Sequence, residues 1–415
     1  MHQTLSPPIG MSARTELARH WPVILACFAT AIFAWGFGFY GQSVYLAELH
    51  RAHGWSIAVI ASSTTVFYLS GALLLTRVHA ALDRLGPRVV LIGGAVLMGG
   101  GVILLGRSQS PWHLYVAAIV MAAGWAATTV TAISTTLALY FDRQRGLAIS
   151  LALNGASAAG FTVAPVLVTL SSRVGLASAV TDTVLVLLAL LIPLILVGVP
   201  RSGQHISARH AAATVVEGPP ALATAGQVLR DKRFWSIATP FALALAAQVG
   251  VIVHLVALLL PHLGAHGTAI ALSITAGAAM AGRLGLGFVI DRLHQRRVSA
   301  ISFASQAVAL GLILTLADRP EALYSACLLF GLSVGNVITL PSLIVQREFA
   351  ARSFGLVIGL STAVGQLTYA LAPAVLGVLR DLSGGYGPAL ALCIALELIG
   401  AAMVLGPQLR GSRAV

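Results

Sequence analysis

The sequence predicts an all-α membrane protein with twelve transmembrane helices, arranged as two pseudo-symmetric bundles of six. Three observations predict this class: a very apolar composition, twelve apolar stretches long enough to span a bilayer, and an internal repeat. Of the 415 residues, 9% are charged and 58% are hydrophobic, and the mean hydropathy is +0.90. Soluble globular domains are about 25% charged, so the composition excludes a soluble enzyme, a disordered chain and a disulfide scaffold.

The net charge of +12 does not indicate a nucleic-acid partner, although the chain is strongly basic. The basic residues are few and occur in short clusters between apolar runs, whereas a nucleic-acid binder concentrates them on one face. We therefore expect the lipid bilayer, and no nucleic acid, as the surroundings of this chain.

Apolar stretches of membrane-spanning length recur along the whole chain. A helix needs about 20 largely apolar residues to cross a hydrocarbon core of about 30 Å. The twelve predicted spans are residues 21–47, 57–80, 88–106, 112–140, 146–170, 180–199, 234–261, 268–290, 298–316, 321–345, 353–379 and 388–407.

The distribution of basic residues predicts the orientation in the membrane. With both termini on one side, that side holds 19 Lys and Arg residues and the other side holds five. Cytoplasmic loops carry the excess of Lys and Arg, so we expect a multi-pass inner-membrane protein with both termini in the cytoplasm. The predicted segments are a tail (1–20), the first bundle (21–199), a cytoplasmic linker (200–233), the second bundle (234–407) and a second tail (408–415).

An internal repeat relates the two bundles, because three motif pairs recur at nearly the same offset. They are Asp83–Arg84 with Asp291–Arg292, Gly146 with Gly355, and Pro165 with Pro373, at offsets of 208, 209 and 208 residues. Their agreement predicts a duplicated six-helix unit.

The loops after the second and eighth spans resemble the signature loop of the major facilitator superfamily, Gly-x-x-x-Asp-Arg-x-Gly-Arg-Arg/Lys. The first half has His79 where the family has Gly. The resemblance implies two bundles that rock about a binding site near the midplane, with a gating role for the charged loops. Anchoring of basic loops to the cytoplasmic side is the simpler alternative. The candidate gating residues are Asp83, Arg84, Arg88, Gly287, Asp291 and Arg292.

One basic residue, Arg283, lies deep inside a predicted span, whereas Arg77 lies near the end of its span and is counted with the cytoplasmic basic residues. Arg283 precedes the end of its helix by eight residues, about 12 Å, and Leu75 stands at the matching position of the first repeat. A charge in the bilayer is costly and needs a partner, yet its neighbours one turn away, Ala279 and Gly287, are not acidic. A guanidinium facing a water-filled cavity suits a carboxylate. We therefore expect Arg283 to bind an anionic substrate, with a structural ion pair as the alternative.

The segment around Arg283 resembles the eighth helix of the monocarboxylate porter family, which is related to the oxalate/formate antiporters. Three further segments share this resemblance: Trp35–Tyr40, Gly54–Ser56 and Phe141–Ala148. In that family the arginine binds the substrate carboxylate, and the resemblance implies the same role for Arg283.

This chain departs from the family at the residues that couple transport to protons. Animal members have a Lys in the first helix, where Tyr40 or Gln42 lies here, and an Asp one turn before the arginine, where Ala279 lies. The oxalate/formate antiporters add a Lys in the eleventh helix, which offers only Gln366 and Tyr369 here. One buried cation suits a monoanion, and proton coupling remains an open alternative.

Further polar residues lie in predicted spans. His254 could exchange protons during transport or could be a neutral histidine bonded to a neighbouring helix, and for Glu397 we expect a structural role. Polar residues recur in the spans that line the cavity of this fold. The candidate substrate-binding residues are Arg283, Tyr369, Gln366, Tyr40, Asn154, Gln42 and Asn336, and Tyr68 and Gln248 belong to the same polar set.

The sequence thus predicts a secondary transporter that moves a small, lactate- or pyruvate-like monocarboxylate by alternating access. It contains no Walker A motif, nucleophile–base motif or metal-ligand spacing, so we expect neither an enzyme nor a cofactor nor a metal site. We expect the monomer to be functional and a small organic anion to be the partner. The alternatives are an exporter of drugs or hydrophobic metabolites and a transporter-like receptor that binds a solute without net flux.

Overall fold

The computed structural model describes residues 13–141, 144–200, 224–290, 293–349 and 353–411. All regular secondary structure within these ranges is helical. The helices are α1 (Ala13–Trp35), a π-helix (Gly36–Tyr40), α2 (Gly41–His53), α3 (Ile57–Gly106), α4 (Pro111–Thr128), α5 (Val130–Ala138), α6 (Arg145–Val174), α7 (Leu176–Gly198), α8 (Ala225–Arg230), α9 (Lys232–Val289), α10 (Gln295–Thr315), α11 (Pro320–Glu348), α12 (Phe354–Ser383) and α13 (Gly387–Gly411).

Ten helical segments in the described part of the chain are long and apolar enough to cross a membrane. Two of them, in α3 and α9, have 50 and 55 residues, which is about 75–80 Å of helix and more than twice a bilayer core. Each contains one non-helical glycine, Gly86 with φ 78° and Gly264 with φ 63°. These glycines divide α3 into two arms (57–85 and 87–106) and α9 into two arms (232–263 and 265–289). The ten segments therefore provide the twelve predicted crossings.

Some predicted segments lie partly outside the described residues. The linker predicted at 200–233 is described only from residue 224 onward, where α8 and the start of α9 lie. Helix α1 begins at Ala13, within the segment predicted as a tail. Asp291 and Arg292 are outside the described residues, and Gly287 is described only as part of the backbone of α9.

Small residues set the close helix packing. A Cβ atom added to Gly124 of α4 would lie 2.3 Å from the backbone N of Met98 in α3, and one added to Gly155 of α6 would lie 2.2 Å from the backbone O of Phe28 in α1. Helices in membranes associate largely through such close backbone approach, because apolar side chains gain little by leaving lipid.

The two halves of the chain meet along a few helix pairs. The first arm of α3 packs on α12, α6 packs on α9, and α2 packs on α9. At the α6–α9 contact, a Cβ on Gly160 would lie 2.5 Å from the Cβ of Ala276. This approach places residues of both halves next to one another in the middle of the molecule.

The predicted repeat is visible in side-chain contacts. Arg88 donates a hydrogen bond to the backbone O of Leu196 at 2.5 Å, and Arg296 donates one to the backbone O of Val404 at 3.1 Å. Both members of the second pair lie 208 residues after those of the first, which is the offset of the sequence motifs. The two halves therefore share the same local architecture at this end of the bundle.

Candidate functional site

Arg283 lies in the second arm of α9 without a counter-charge. Its Nε atom is enclosed and has no hydrogen-bond partner, while the side chain as a whole is partly exposed. No described residue forms an ion pair with it, and the structural ion pair considered from the sequence is therefore not formed within the described residues. A partly exposed cation in a membrane span is available to an anion from a water-filled cavity.

Glycines of α11 hold the stem of Arg283 in place. A Cβ added to Gly335 would lie 3.1 Å from both Cβ and Nε of Arg283 and 2.6 Å from the backbone O of Ala279. One turn earlier, a Cβ on Gly331 would lie 2.4 Å from the backbone O of Thr275. The arginine stem thus crosses the bare backbone of α11. The Gly-x-x-x-Gly spacing, typical of close helix contacts in membranes, was the signal for this contact, which the sequence analysis missed.

Tyr40 of the first half lies near Arg283 of the second half. Tyr40 ends the π-helix that joins α1 to α2, and it lies within electrostatic range of Arg283 without a hydrogen bond to it. A Cβ on Gly160 would lie 2.8 Å from Cζ of Tyr40, so a glycine again makes room for the ring. Short π-helices occur frequently at functional sites. The structure therefore brings together two predicted site residues that are far apart in sequence.

Tyr369 belongs to a second aromatic contact between the halves. Its ring lies edge-on to the ring of Tyr68 with centroids 5.6 Å apart, and the Tyr68 hydroxyl is enclosed without a partner. Gln366 lies one turn before Tyr369 and is partly exposed, as is Asn154 on α6. No hydrogen bond joins Gln366 or Asn154 to another described residue.

Two other predicted site residues are buried and bonded to nearby groups. The Thr64 hydroxyl donates to Oε1 of Gln42 at 3.0 Å, and Nδ2 of Asn336 donates to the backbone O of Leu332 at 3.1 Å. The remaining amide atoms, Nε2 of Gln42 and Oδ1 of Asn336, are enclosed without partners. Asn336 directly follows Gly335 in α11, so it lies at the same level as the arginine stem.

His254 is wholly buried and both its ring nitrogens have partners. Nε2 lies 3.0 Å from the backbone O of Pro373, and Nδ1 lies 3.0 Å from the hydroxyl of Tyr386. A carbonyl only accepts, so Nε2 carries the proton and Nδ1 accepts from the tyrosine; this assignment follows from the network. The geometry favours the neutral, hydrogen-bonded histidine over the proton exchanger. Glu397 is also wholly buried, and neither carboxyl oxygen has a partner among the described residues.

Of the two predicted gating clusters, only the one in the first half has its Asp and Arg residues within the described part of the chain. Asp83 and Arg84 are exposed at the end of the first arm of α3, and neither bonds to a described side chain. Arg88 binds the backbone of α7 in its own half. Asp291 and Arg292, the corresponding gating candidates of the second half, lie outside the described residues.

The described residues contain no group of three or more His, Cys, Asp or Glu side chains able to hold a metal ion. The three cysteines, Cys27, Cys327 and Cys393, are buried and unpaired. They occupy positions suited to small apolar residues in helix packing.

Comparisons with known proteins agree with this architecture. Residues 26–373 match the sequence profile of the Major Facilitator Superfamily. Human monocarboxylate transporter 11 is 29% identical over 343 residues, covering 78% of this chain and 69% of that protein. The uncharacterized MFS-type transporter YcxA of Bacillus subtilis (strain 168) is 24% identical over 411 residues, covering 97% of this chain and 98% of that protein. A crystal structure of a mutant of the nucleoside transporter NupG has a TM-score of 0.77 at 12% identity, covering 92% of this chain and 99% of that one.

Proposed function

Because the chain belongs to the Major Facilitator Superfamily, we propose that it is a secondary transporter in which Arg283 binds the carboxylate of a small monocarboxylate. The observation that supports this proposal most strongly is the unpaired guanidinium in the second arm of α9. A charge at the centre of a bilayer costs at least about 2.5–3.5 kcal/mol on insertion scales. An arginine without a counter-charge at this depth needs a partner that arrives from outside the chain.

The chemistry of the site favours a monoanion. A guanidinium presents two parallel N–H donors that match the two oxygens of a carboxylate. Arg283 is a partly buried cation without a counter-charge, and a dicarboxylate bound to it would leave its second charge without a partner. The name of the human relative, monocarboxylate transporter 11, agrees with this class of substrate.

The positions of the site residues suggest how binding is linked to movement. Arg283 and Tyr40 come from different halves, as do Tyr68 and Tyr369. A carboxylate held by Arg283 can accept a hydrogen bond from Tyr40 only when the halves are close. Substrate binding thereby lowers the free energy of the closed arrangement, which is the differential binding that alternating access requires.

We assign proton coupling to none of the residues of this site. Tyr40 or Gln42 stands where the resemblance would place a Lys, and Ala279 stands where it would place an Asp. Both ring nitrogens of His254 have hydrogen-bond partners. The arrangement favours uniport or anion exchange through Arg283. With 19 of the basic residues on one side, we place both termini in the cytoplasm.

Uptake into proteoliposomes tests the proposal. We expect saturable uptake of radiolabelled lactate or pyruvate by the natural chain and loss of at least about 90% of it in Arg283→Gln, because a neutral amide cannot neutralise the carboxylate. Arg173→Gln is the matched control, since Arg173 is exposed at the end of α6 and should retain uptake.

Three results would contradict the proposal. Unchanged saturable uptake in Arg283→Gln would show that the arginine does not bind the substrate. Transport of lipophilic cations or neutral drugs, with no carboxylate transport, would instead identify an exporter. Tight solute binding without counterflow would identify a receptor.

A further inference from the structure

A carboxylate on one half of the molecule caps a helix of the other half. Oδ2 of Asp381, near the end of α12, accepts hydrogen bonds from the Ser56 hydroxyl at 2.7 Å and from the Ala58 backbone N–H at 2.8 Å. Ser56 is the N-cap residue of α3, and its Oγ accepts from the Val59 N–H at 3.3 Å. The first N–H groups of a helix lack partners within the helix and favour negative charge. Asp381 therefore binds α3 at the position where a carboxylate is most favourable.

The backbones of the two halves are also close at this point. A Cβ added to Gly377, one turn before Asp381, would lie 2.9 Å from Cα of Ala58 and 3.1 Å from the backbone O of Ile57. The second carboxylate oxygen, Oδ1, forms an ion pair with Arg380 at 3.0 Å. Both oxygens of Asp381 are thus occupied, and the end of α12 is held tightly against the first turn of α3.

No such bond joins the same two helices at their other ends within the described residues. Helix α12 runs antiparallel to the first arm of α3, so the start of α12 and Asp83 belong to the opposite end of the pair. Asp83 is exposed and bonds to no described residue, and a Cβ added to Gly355 or Gly359 would have no atom within 4 Å. Among the described residues, the pair is thus bonded at the Asp381 end, and no side-chain bond joins it at the Asp83 end.

The repeat provides an internal comparison for this contact. The offset of 208 residues places Arg173 at the position of Asp381 and Gly264 at the position of Ser56. An arginine and a glycine cannot form the carboxylate–hydroxyl bond, although the repeat-related helices α6 and α9 also pack together. The fold thus does not require this bond for the packing of its inter-half helices.

We propose that Asp381 is a latch that holds the two halves together at the face opposite Asp83. Opening that face breaks both hydrogen bonds and leaves the first N–H groups of α3 to water. The latch therefore stabilises the state that is open on the Asp83 side. This inference rests on the proposed movement of the halves but not on the carboxylate substrate, so each can fail without the other.

Distances between spin labels test the latch without any substrate. Labels at Ala52, at the end of α2, and at Glu321, at the start of α11, lie in different halves on the Asp381 face, and both residues are exposed. The labels are introduced as cysteines into the full chain after the three buried cysteines are replaced by alanine. Double electron–electron resonance in lipid nanodiscs then measures how much of the population has a short or a long distance.

Loss of the carboxylate should open the Asp381 face. We expect the ratio of long to short distances to rise about tenfold in Asp381→Ala, which corresponds to about 1.4 kcal/mol. Asp381→Asn keeps one neutral acceptor, and Ser56→Ala keeps the bond to Ala58, so both should give smaller increases. Monodisperse elution and a melting curve show whether each variant is folded. If Asp381→Ala does not fold, the two milder variants still test the latch.

Arg173→Ala is the matched control, because it changes the repeat-related position and should leave the distances unchanged. The latch is overturned if correctly folded Asp381 and Ser56 variants keep the distance populations of the natural chain. An equal shift in Arg173→Ala would also overturn it, since the effect would then follow from any change at these helix ends.

Discussion

At the scale of single residues, Arg283 is positioned by the absence of side chains around it. Gly335 leaves room for the arginine stem, and Gly160 leaves room for the ring of Tyr40. With its Nε enclosed and unpaired, the guanidinium has a restricted orientation before any ligand binds. Such preorganisation reduces the entropy that binding must overcome.

Substitution of Gly335 tests this positioning. A methyl group there would meet Cβ and Nε of Arg283 at 3.1 Å, so we expect Gly335→Ala to raise the half-saturation concentration of carboxylate uptake about tenfold. The matched control is Gly331→Ala, whose methyl group would also meet backbone of α9, at 2.4 Å from the O of Thr275, but would not touch the arginine.

Both glycine variants should lower the melting temperature, whereas only Gly335→Ala should weaken uptake specifically. In an Arg283→Lys background the two glycine variants should have nearly equal half-saturation concentrations, because the planar guanidinium that Gly335 positions is absent. Equal half-saturation concentrations for the two glycine variants would show that Gly335 has only a packing role.

The arginine could be predicted from the sequence, but its surroundings could not. Arg283 stands out because a charge interrupts an apolar stretch and because Leu75 occupies the matching position of the other repeat. The roles of Gly335 and Tyr68 depend on which helix faces which, and a single sequence does not contain that information. Gln42 and Asn336 stay predicted substrate-binding residues, and each already has one hydrogen bond to a neighbouring group.

At the scale of helices, the two repeats differ in how they secure one end of the bundle. Arg296 is buried and binds Glu348 through Nε and Nη2, both at 2.7 Å, and also reaches Ser236 and Val404. In the first half, Arg88 has the bond to Leu196, but its Nε is enclosed and unpaired. The repeat offset places Tyr140 where the second half has Glu348. We call the Arg296–Glu348 ion pair the clamp. Only the second half has it among the described residues.

Removal of the Glu348 charge should destabilise the second half. Glu348→Gln would leave the buried guanidinium of Arg296 without its counter-charge, and we expect a loss of about 1–3 kcal/mol in the free energy of unfolding. The melting temperature of the protein in detergent measures this change. Glu321→Gln, an exposed carboxylate on the same helix, is the control, and equal melting temperatures for the two variants would contradict the clamp.

The helices themselves were largely predictable, because span length and apolar composition are local properties. The breaks in α3 and α9 fall at Gly86 and Gly264, inside the intervals predicted between spans. The π-helix before α2 was not predicted, because one extra residue in a helical turn leaves no clear mark in the hydrophobic pattern. The latch was not predicted either, since Ser56 and Asp381 are 325 residues apart.

At the scale of the whole molecule, the duplicated halves differ in the polar and charged residues that they contribute. The cation of the candidate site and the complete clamp belong to the second half, while Tyr40 and Tyr68 come from the first half. The latch likewise joins α12 to α3 and has no counterpart at the repeat-related positions. A site shared between unequal halves allows one ligand to change the equilibrium between the open and closed arrangements.

In the proposed mechanism, Arg283 binds the negative charge of a monocarboxylate. The most direct test compares the melting temperature of the purified protein with lactate and with lactamide, its uncharged amide of nearly equal size. We predict that lactate raises the melting temperature in proportion to its concentration, that lactamide does not, and that the effect of lactate is lost in Arg283→Gln. An equal effect of lactamide, or an undiminished effect of lactate on Arg283→Gln, would contradict this role of the arginine.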